Sequence, residues 1–285
     1  RKLSQSHIVP KFCTRWLKST SITGRLKSGL APERFAQDGY KEPMLCADCE
    51  NLFSKWEDWF KRHIFDDVVG SIPSRRSWDF QLSPEFYRFA VSLSWRGAVT
   101  HFASVAINKP TALPWLARAI NTWRVFLLGL GSGLDQHDHR ADFWWKAKYR
   151  NTRYLHPADM SKLGYYRCRG TDSEVISDSV DQLNHIAVYT QMPGFIFLSY
   201  VKGGGEIDLP AQSKIGESGR LVGATISEGN LYNFIMYRAR RAAALAAGNL
   251  EDFHKTATSK MSHATLAYIP RPRFDYSPII RKESI

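Results

Sequence analysis

A pair of cysteines separated by two residues, Cys46 and Cys49, constrains the fold of this chain more than any other sequence feature. Two thiolates at this spacing can bind one zinc ion, and a structural zinc site needs four ligands. The segment from Ser6 to Pro10, about forty residues earlier, is typical of a short strand closed by a proline. Because helical periodicity follows the cysteines, the order of elements predicts a small unit built around a metal ion.

The chain is strongly basic. It has 285 residues, enough for one large domain or two small ones, and 44% of them are hydrophobic, so a sizeable core can form. Lys and Arg number 39 against 27 acidic residues, which gives a net charge of +12 and a pI near 9.6. This balance favours a polyanionic partner such as nucleic acid, because basic side chains release counterions from a phosphate backbone. A generically basic protein is the alternative interpretation.

The cysteine content indicates a reducing compartment. Two of the four cysteines form the pair, and Cys13 and Cys168 are scattered, which is typical of metal binding plus buried thiols rather than a disulfide framework. The N-terminal residues lack the apolar core of a secretory signal, and no apolar run approaches the length of a membrane span. We therefore expect a cytoplasmic protein with no membrane partner.

The pattern of hydrophobic residues predicts an α+β fold in three parts. Residues 1–66 form a small N-terminal unit, with a helix from Asn51 to Ile64 that places Leu52, Trp56 and Phe60 on one face. Residues 67–267 form a larger helical and mixed domain with a short antiparallel sheet. Residues 268–285 form a basic, proline-rich tail.

Within the larger domain, helical spacing and turn residues predict several elements. Residues 134–169 form a polar region that is rich in aromatics and arginine. His137-Asp138-His139 in that region is either a metal-binding cluster or a solvated polar turn. The predicted regular elements are a long helix opening at Ser83 or Pro84, a second helix over 115–130 after two chain-breaking prolines, a hairpin over 185–201 turning at Met192-Pro193-Gly194, a strand over 221–226 and a helix over 231–247.

The cysteine pair supplies half of a zinc site. The missing ligands could precede Arg1, where a second Cys-x-x-Cys would complete the site, or include Cys13 or a histidine. Two reduced, partly buried cysteines without a metal are the alternative.

His7 is the candidate catalytic group in the first unit. A general base must sit beside the water that it activates, and a neutral imidazole is suited to this near pH 7. A histidine on a strand that packs across a metal-bearing helix could do this work. A structural histidine, hydrogen-bonded within a hairpin, is the other interpretation.

The segments SHIVPKF and QDGYKEPMLCADCE resemble the HNH endonucleases, and more closely a divergent group of bacterial HNH-like proteins. The motif resemblance covers residues 1 to about 66. It implies a ββα fold around a metal and hydrolysis of phosphodiester bonds, with DNA as the expected substrate. Such modules are frequent in anti-phage defence, so the resemblance also implies a possible protein partner in a defence complex.

The resemblance assigns roles to individual residues. His7 matches the general base, and Cys46 and Cys49 match the cysteines that hold a structural zinc. Glu50 stands where the family commonly has a residue that binds a catalytic divalent ion, and a carboxylate suits Mg²⁺ or Mn²⁺. Glu57, two helical turns later on the same face, would bind that ion directly or hold one of its ligands in place.

Two residues depart from the family pattern. Ser6 precedes His7, where many members have an acidic residue or histidine, and Lys41 falls near the family's middle asparagine. Lysine cannot bind a cation, and Asp38 is the nearby substitute. These departures support an alternative function, a non-catalytic subunit that binds nucleic acid or a protein partner and keeps zinc only as a structural element.

Overall fold

The computed structural model describes residues 2–21, 24–27, 35–70, 79–131, 137–143, 157–177, 184–203, 213–222 and 231–243. These residues combine helices with small antiparallel sheets, which agrees with the predicted α+β class. Some features that the sequence predicts lie wholly or mostly outside the described residues: a linker that glycine, proline and arginine indicate over 70–78, an aromatic and basic stretch over 143–150, and the tail over 268–285. No described helix combines the length and the apolar character that crossing a membrane requires.

The N-terminal residues form a strand pair followed by a helix. The first strand pairs antiparallel with a strand about forty residues later, and the segment between them carries one helix and a minimal two-stranded sheet. The elements are β1 (Ser4–His7), α1 (Lys11–Ser19), β2 (Leu26–Lys27), β3 (Phe35–Ala36), β4 (Lys41–Leu45) and α2 (Ala47–Phe60).

Helix α2 begins earlier than the predicted Asn51 and ends at Phe60, but the helical run continues past the predicted Ile64. Cys46 is its N-cap residue, and the Cys46 carbonyl accepts a hydrogen bond from the Glu50 N–H at 2.9 Å. The chain then widens into a π-helical turn, Lys61–Phe65, and tightens again into α3 (Asp66–Gly70). The wide turn changes the helical phase, so that Phe60, Ile64 and Phe65 are all buried.

A long helical hairpin forms the centre of the molecule. Helix α4 (Pro84–Asn108) begins as predicted, because the Ser83 hydroxyl accepts a hydrogen bond from the Phe86 N–H and Pro84 occupies the first turn. Helix α5 (Leu113–Leu127) begins before the predicted position. Pro114, expected to break the chain, lies in its first turn, where a helix needs no N–H donor.

A four-stranded antiparallel sheet packs on α4 in the order β6-β9-β8-β7. The predicted hairpin is confirmed as β8 (Ile186–Met192) and β9 (Phe195–Lys202), and Gly194 supplies the positive φ of 82° that its tight turn needs. The outer strands are β6 (His139–Phe143) and β7 (Asp172–Ser177). Part of the polar region over 134–169 is therefore a buried strand, because its polar residues find partners inside the protein.

The remaining described elements pack around this centre. Helix α6 lies within the polar region over 134–169, β10 overlaps the start of the strand predicted over 221–226, and the last helix lies within the range predicted over 231–247. They are β5 (Asp79–Gln81), a short 3₁₀ turn (Pro110–Ala112), α6 (Pro157–Arg169), β10 (Arg220–Val222), which pairs with β5, and α7 (residues 231–243).

One hydrophobic core runs through the N-terminal elements, the helical hairpin and the sheet. Phe60 of α2 stacks on Phe89 of α4 with ring centres 4.1 Å apart, and Phe195 of β9 meets the Phe60 ring edge-on at 5.2 Å. Helix α2, which follows the strand pair that carries His7, is therefore anchored to α4 and β9 by shared aromatic packing.

The His137-Asp138-His139 segment is not a solvated turn. His139 is 1% exposed, and its Nδ1 lies 2.6 Å from the Ser199 hydroxyl, which in turn lies 2.5 Å from the Ser94 hydroxyl. Burial, reinforced by the neighbouring His137, lowers the pKa of His139 from 6.5 to about 3. Hydrogen bonds among His139, Ser199 and Ser94 thus connect α4 to the sheet.

The buried His139 ring predicts that the stability of the protein depends on pH. The folded His139 ring stays neutral, whereas the unfolded ring gains a proton below about pH 6.5, so the free energy of unfolding falls as the pH drops below about 6.5. The slope for this one residue approaches about 1.4 kcal/mol per pH unit. His139→Asn keeps a donor for Ser199 without a titrating ring, and urea unfolding between pH 6.5 and 5 should show a shallower slope. Equal slopes in the two proteins would contradict the assignment.

Candidate functional site

His7 is the last residue of β1 and lies directly opposite Lys41 of β4. Directly opposed residues of an antiparallel pair present their side chains on the same face of the sheet. The imidazole and the ammonium therefore share one face, which we call the His7 face. The His7 side chain is 14% exposed and the Lys41 side chain 33% exposed, so this face is reachable from solvent.

Asp38 lies between the two groups. Its Oδ1 is 3.0 Å from His7 Nε2, and its Oδ2 is 2.7 Å from Lys41 Nζ. The Gly39 N–H donates to Oδ1 at 2.9 Å, and the Thr14 hydroxyl of α1 donates to the same oxygen at 3.4 Å. The loop before β4 thus places one carboxylate in contact with a ring nitrogen and an ammonium.

These contacts keep Asp38 ionised. Burial opposes ionisation, but the Lys41 ammonium, the adjacent His7 ring and the Gly39 N–H outweigh it and hold the pKa of Asp38 well below its ordinary value. A depressed carboxyl pKa stabilises the fold above the unfolded value and loses that contribution only as the pH falls towards the folded value. At neutral pH the His7 face therefore carries a fixed negative charge beside the ring.

The carboxylate also determines which nitrogen of His7 is basic. His7 Nε2 lies 3.0 Å from Asp38 Oδ1, a close contact without the alignment of a hydrogen bond. A proton on Nε2 is still stabilised by the adjacent anion, which leaves the lone pair on Nδ1. A histidine oriented by a carboxylate in this way is the arrangement that general-base catalysis uses.

Glu50 lies on the other side of β1. The Ser6 hydroxyl donates a short hydrogen bond to the Glu50 carboxylate, and Ser6 is 1% exposed. Neighbouring residues of a strand face opposite sides of a sheet. The structure therefore does not bring Glu50 together with His7, although both residues flank the same strand.

Glu57 is engaged by a buried arginine. Arg96 of α4 places Nη1 2.7 Å from the Glu57 carboxylate, and its side chain is 3% exposed. The same nitrogen donates to the His7 carbonyl at 2.9 Å. Glu57 and His7 are thus linked through Arg96 and the backbone rather than by direct contact between their side chains.

The cysteine pair has a spacing that suits a shared ion. The Cys46 and Cys49 sulfurs are 3.5 Å apart, and two thiolates on one tetrahedral zinc stand about 3.8 Å apart when each Zn–S bond is about 2.3 Å. Within the described part of the chain, no three His, Cys, Asp or Glu side chains converge as a metal site requires. Cys13 does not join the pair; it is fully buried in α1, and burial raises the pKa of its thiol well above the ordinary value.

Three residues of this region were not identified from the sequence. Thr14 and Gly39 have no distinguishing pattern. Arg96 had a signal, because it interrupts the buried stripe of α4 between Leu93 and Phe102, and a charge in such a stripe requires a buried partner.

The chain matches no protein-family model, and neither the curated proteins nor the solved structures include a significant match to it.

The tight contact at Gly39 predicts that only glycine fits there. A Cβ atom at this position would lie 2.8 Å from the Thr14 methyl group and 3.4 Å from His7 Cδ2. Gly39→Ala should therefore displace α1 or the imidazole and lower the free energy of unfolding by about 1–3 kcal/mol. Gly70→Ala is the matched control, because no atom lies within 4 Å of its added Cβ. Equal unfolding free energies for the two variants would show that the contact is not tight.

Proposed function

We propose that the His7 face cleaves phosphodiester bonds in nucleic acid, with DNA as the substrate to test first. The observation that carries the proposal is the contact of His7 Nε2 with Asp38 at 3.0 Å beside a partly exposed ammonium. In this role Asp38 holds the ring, and Nδ1 takes a proton from the attacking water. The net charge of +12 supports the proposal, because a polyanionic substrate needs a basic surface.

The resemblance to the HNH endonucleases supports the same reaction class. In support of the proposal, the antiparallel pair β1 and β4 precedes α2 as in a ββα module, with α1, β2 and β3 inserted between the two strands, and His7 stands at the end of the first strand. A setting in anti-phage defence, with a protein partner, is part of the proposal on the strength of that resemblance alone.

A structural zinc is the second part of the proposal. The 3.5 Å separation of Cys46 and Cys49 fits two thiolates on one ion. An ion there would hold the N-terminus of α2 against the strand pair and would take no part in the reaction.

The alternative, a subunit that binds without cutting, is favoured by one observation. The two carboxylates expected to hold a catalytic ion already have partners, Ser6 for Glu50 and Arg96 for Glu57. Under this alternative His7 and Asp38 form a structural contact, and the basic surface binds nucleic acid or a partner protein.

A plasmid-cleavage assay separates the two functions. His7→Ala should lower the cleavage rate by about 10²–10⁴-fold, the usual contribution of a general base, while leaving DNA binding unchanged. His63→Ala is the matched control, because His63 is an exposed histidine on the helix that follows α2. Rates would be measured on purified protein with Mg²⁺, with Mn²⁺ and without added ion. Absence of cleavage by the parent protein under all three conditions, with DNA binding retained, would establish the alternative.

The zinc proposal has its own test. Cys46→Ser should abolish binding of one zinc ion per chain and unfold the N-terminal elements, since a structural zinc contributes on the order of 10 kcal/mol at neutral pH. Elemental analysis and thermal melting would measure the two effects. Cys168→Ser, which changes a buried cysteine outside the pair, is the control and should retain the parent's metal content. If Cys46→Ser keeps the zinc content and melting temperature of the parent, the pair holds no metal.

A further inference from the structure

We propose that cleavage at the His7 face needs no divalent ion, and that the Lys41 ammonium supplies the positive charge that the reacting phosphate meets. The inference rests on the proposed function and concerns how this chain departs from the metal-dependent reaction that the HNH resemblance implies. It follows from the groups that already contact the carboxylates of Asp38, Glu50 and Glu57.

The expected ion ligands are engaged in ways that disfavour a divalent cation. Glu57 has the Arg96 guanidinium 2.7 Å away, and a second, doubly charged cation at the same carboxylate would be repelled at close range in a mostly buried setting. Glu50 accepts a hydrogen bond from Ser6 on the side of β1 that faces away from His7. An ion bound to Glu50 would therefore lie across the strand from the base.

Asp38 is the carboxylate in contact with the ring, and it too has a cation. Lys41 Nζ lies 2.7 Å from its Oδ2, while its Oδ1 receives the Gly39 N–H and the Thr14 hydroxyl. A divalent ion would have to displace the ammonium and compete with these donors. The Lys41 ammonium thus places a positive charge beside the base, where a metal ion would otherwise neutralise a phosphate.

Lys41 is positioned to do this work. It faces the same side as His7 from the opposite strand, and one third of its side chain is exposed. An ammonium has three N–H donors, and Asp38 uses one of them, which leaves donors for the phosphate oxygens. Because Asp38 holds both Lys41 and His7, the charge and the base are fixed relative to each other before substrate arrives.

Lys18 adds a second cation near the same loop. It lies one helical turn after Thr14, and its Nζ donates to the Gln37 carbonyl at 3.0 Å. The surroundings of Asp38 therefore contain two ammonium groups, which favours an anion at this face over a further cation.

The reaction step balances without a metal ion. Nδ1 of His7 takes a proton from water as the water oxygen forms a bond to phosphorus. The bond from phosphorus to the leaving oxygen breaks, and that oxygen takes a proton from solvent. Lys41 remains protonated and donates hydrogen bonds to the non-bridging oxygens, whose negative charge increases in the transition state. The imidazolium then returns its proton to solvent.

The test uses full-length protein in buffers stripped of divalent ions by a chelating resin, with the zinc content per chain measured before and after. The parent protein should cleave supercoiled plasmid at a rate that changes less than about threefold when Mg²⁺ or Mn²⁺ is added. Lys41→Met should lose about 100-fold or more of that rate. Lys41→Arg should retain most of it. Lys55→Met, which changes an exposed lysine on α2, is the matched control and should match the parent.

The outcomes are distinct. Cleavage that appears only after Mg²⁺ or Mn²⁺ is added overturns the inference and leaves the proposed function standing. Equal ion-free rates for the parent and Lys41→Met, with both proteins folded by circular dichroism, also overturn it. If Lys41→Met does not fold, Lys41→Arg decides, because a charge-carrying role requires that this variant cleave without added ion. Absence of cleavage under every condition overturns the proposed function and the inference together.

Discussion

The buried guanidinium of Arg96 holds the N-terminal strand pair against the helices that follow it. It projects from the centre of α4 and donates to the Ser92 carbonyl of its own helix, to the His7 carbonyl of β1 and to the Glu57 carboxylate of α2. The guanidinium also lies 5.7 Å from the centre of the Phe53 ring. A buried charge is tolerated only when its donors are satisfied, so α2, α4 and β1 must be correctly placed together. The position of His7 depends on this agreement.

Sequence patterns predicted the elements whose ends or turns are determined by residues next to each other in the chain. The Ser83-Pro84 start of α4 and the Pro193-Gly194 turn each follow from the chemistry of two adjacent residues. The strand β6 could not be predicted in this way. Its histidine resembles a loop residue until Ser199, sixty positions later, is placed beside it, and that placement depends on tertiary structure.

In the candidate site too, the sequence identified some residues but could not predict the contacts between residues far apart in the chain. The sequence identified His7 and named Asp38 as a nearby substitute, and the structure places the two side chains in contact. The sequence could not show that Ser6 and Arg96 engage the two glutamates, because these contacts join residues separated by about forty positions along the chain. Helical spacing placed Glu50 and Glu57 on one face of α2. The alternation of side chains along β1, however, puts Ser6 and its partner Glu50 on the side of the sheet opposite His7.

The aromatic stack of Phe60, Phe89 and Phe195 limits how α2 can move. Rotating α2 away from α4 and β9 would separate these rings and pull the Glu57 carboxylate away from the Arg96 guanidinium. Local opening at this point is therefore costly, because it exposes buried rings and leaves a buried charge without its ion-pair partner. A change of conformation that repositions α2 must first disrupt this packing.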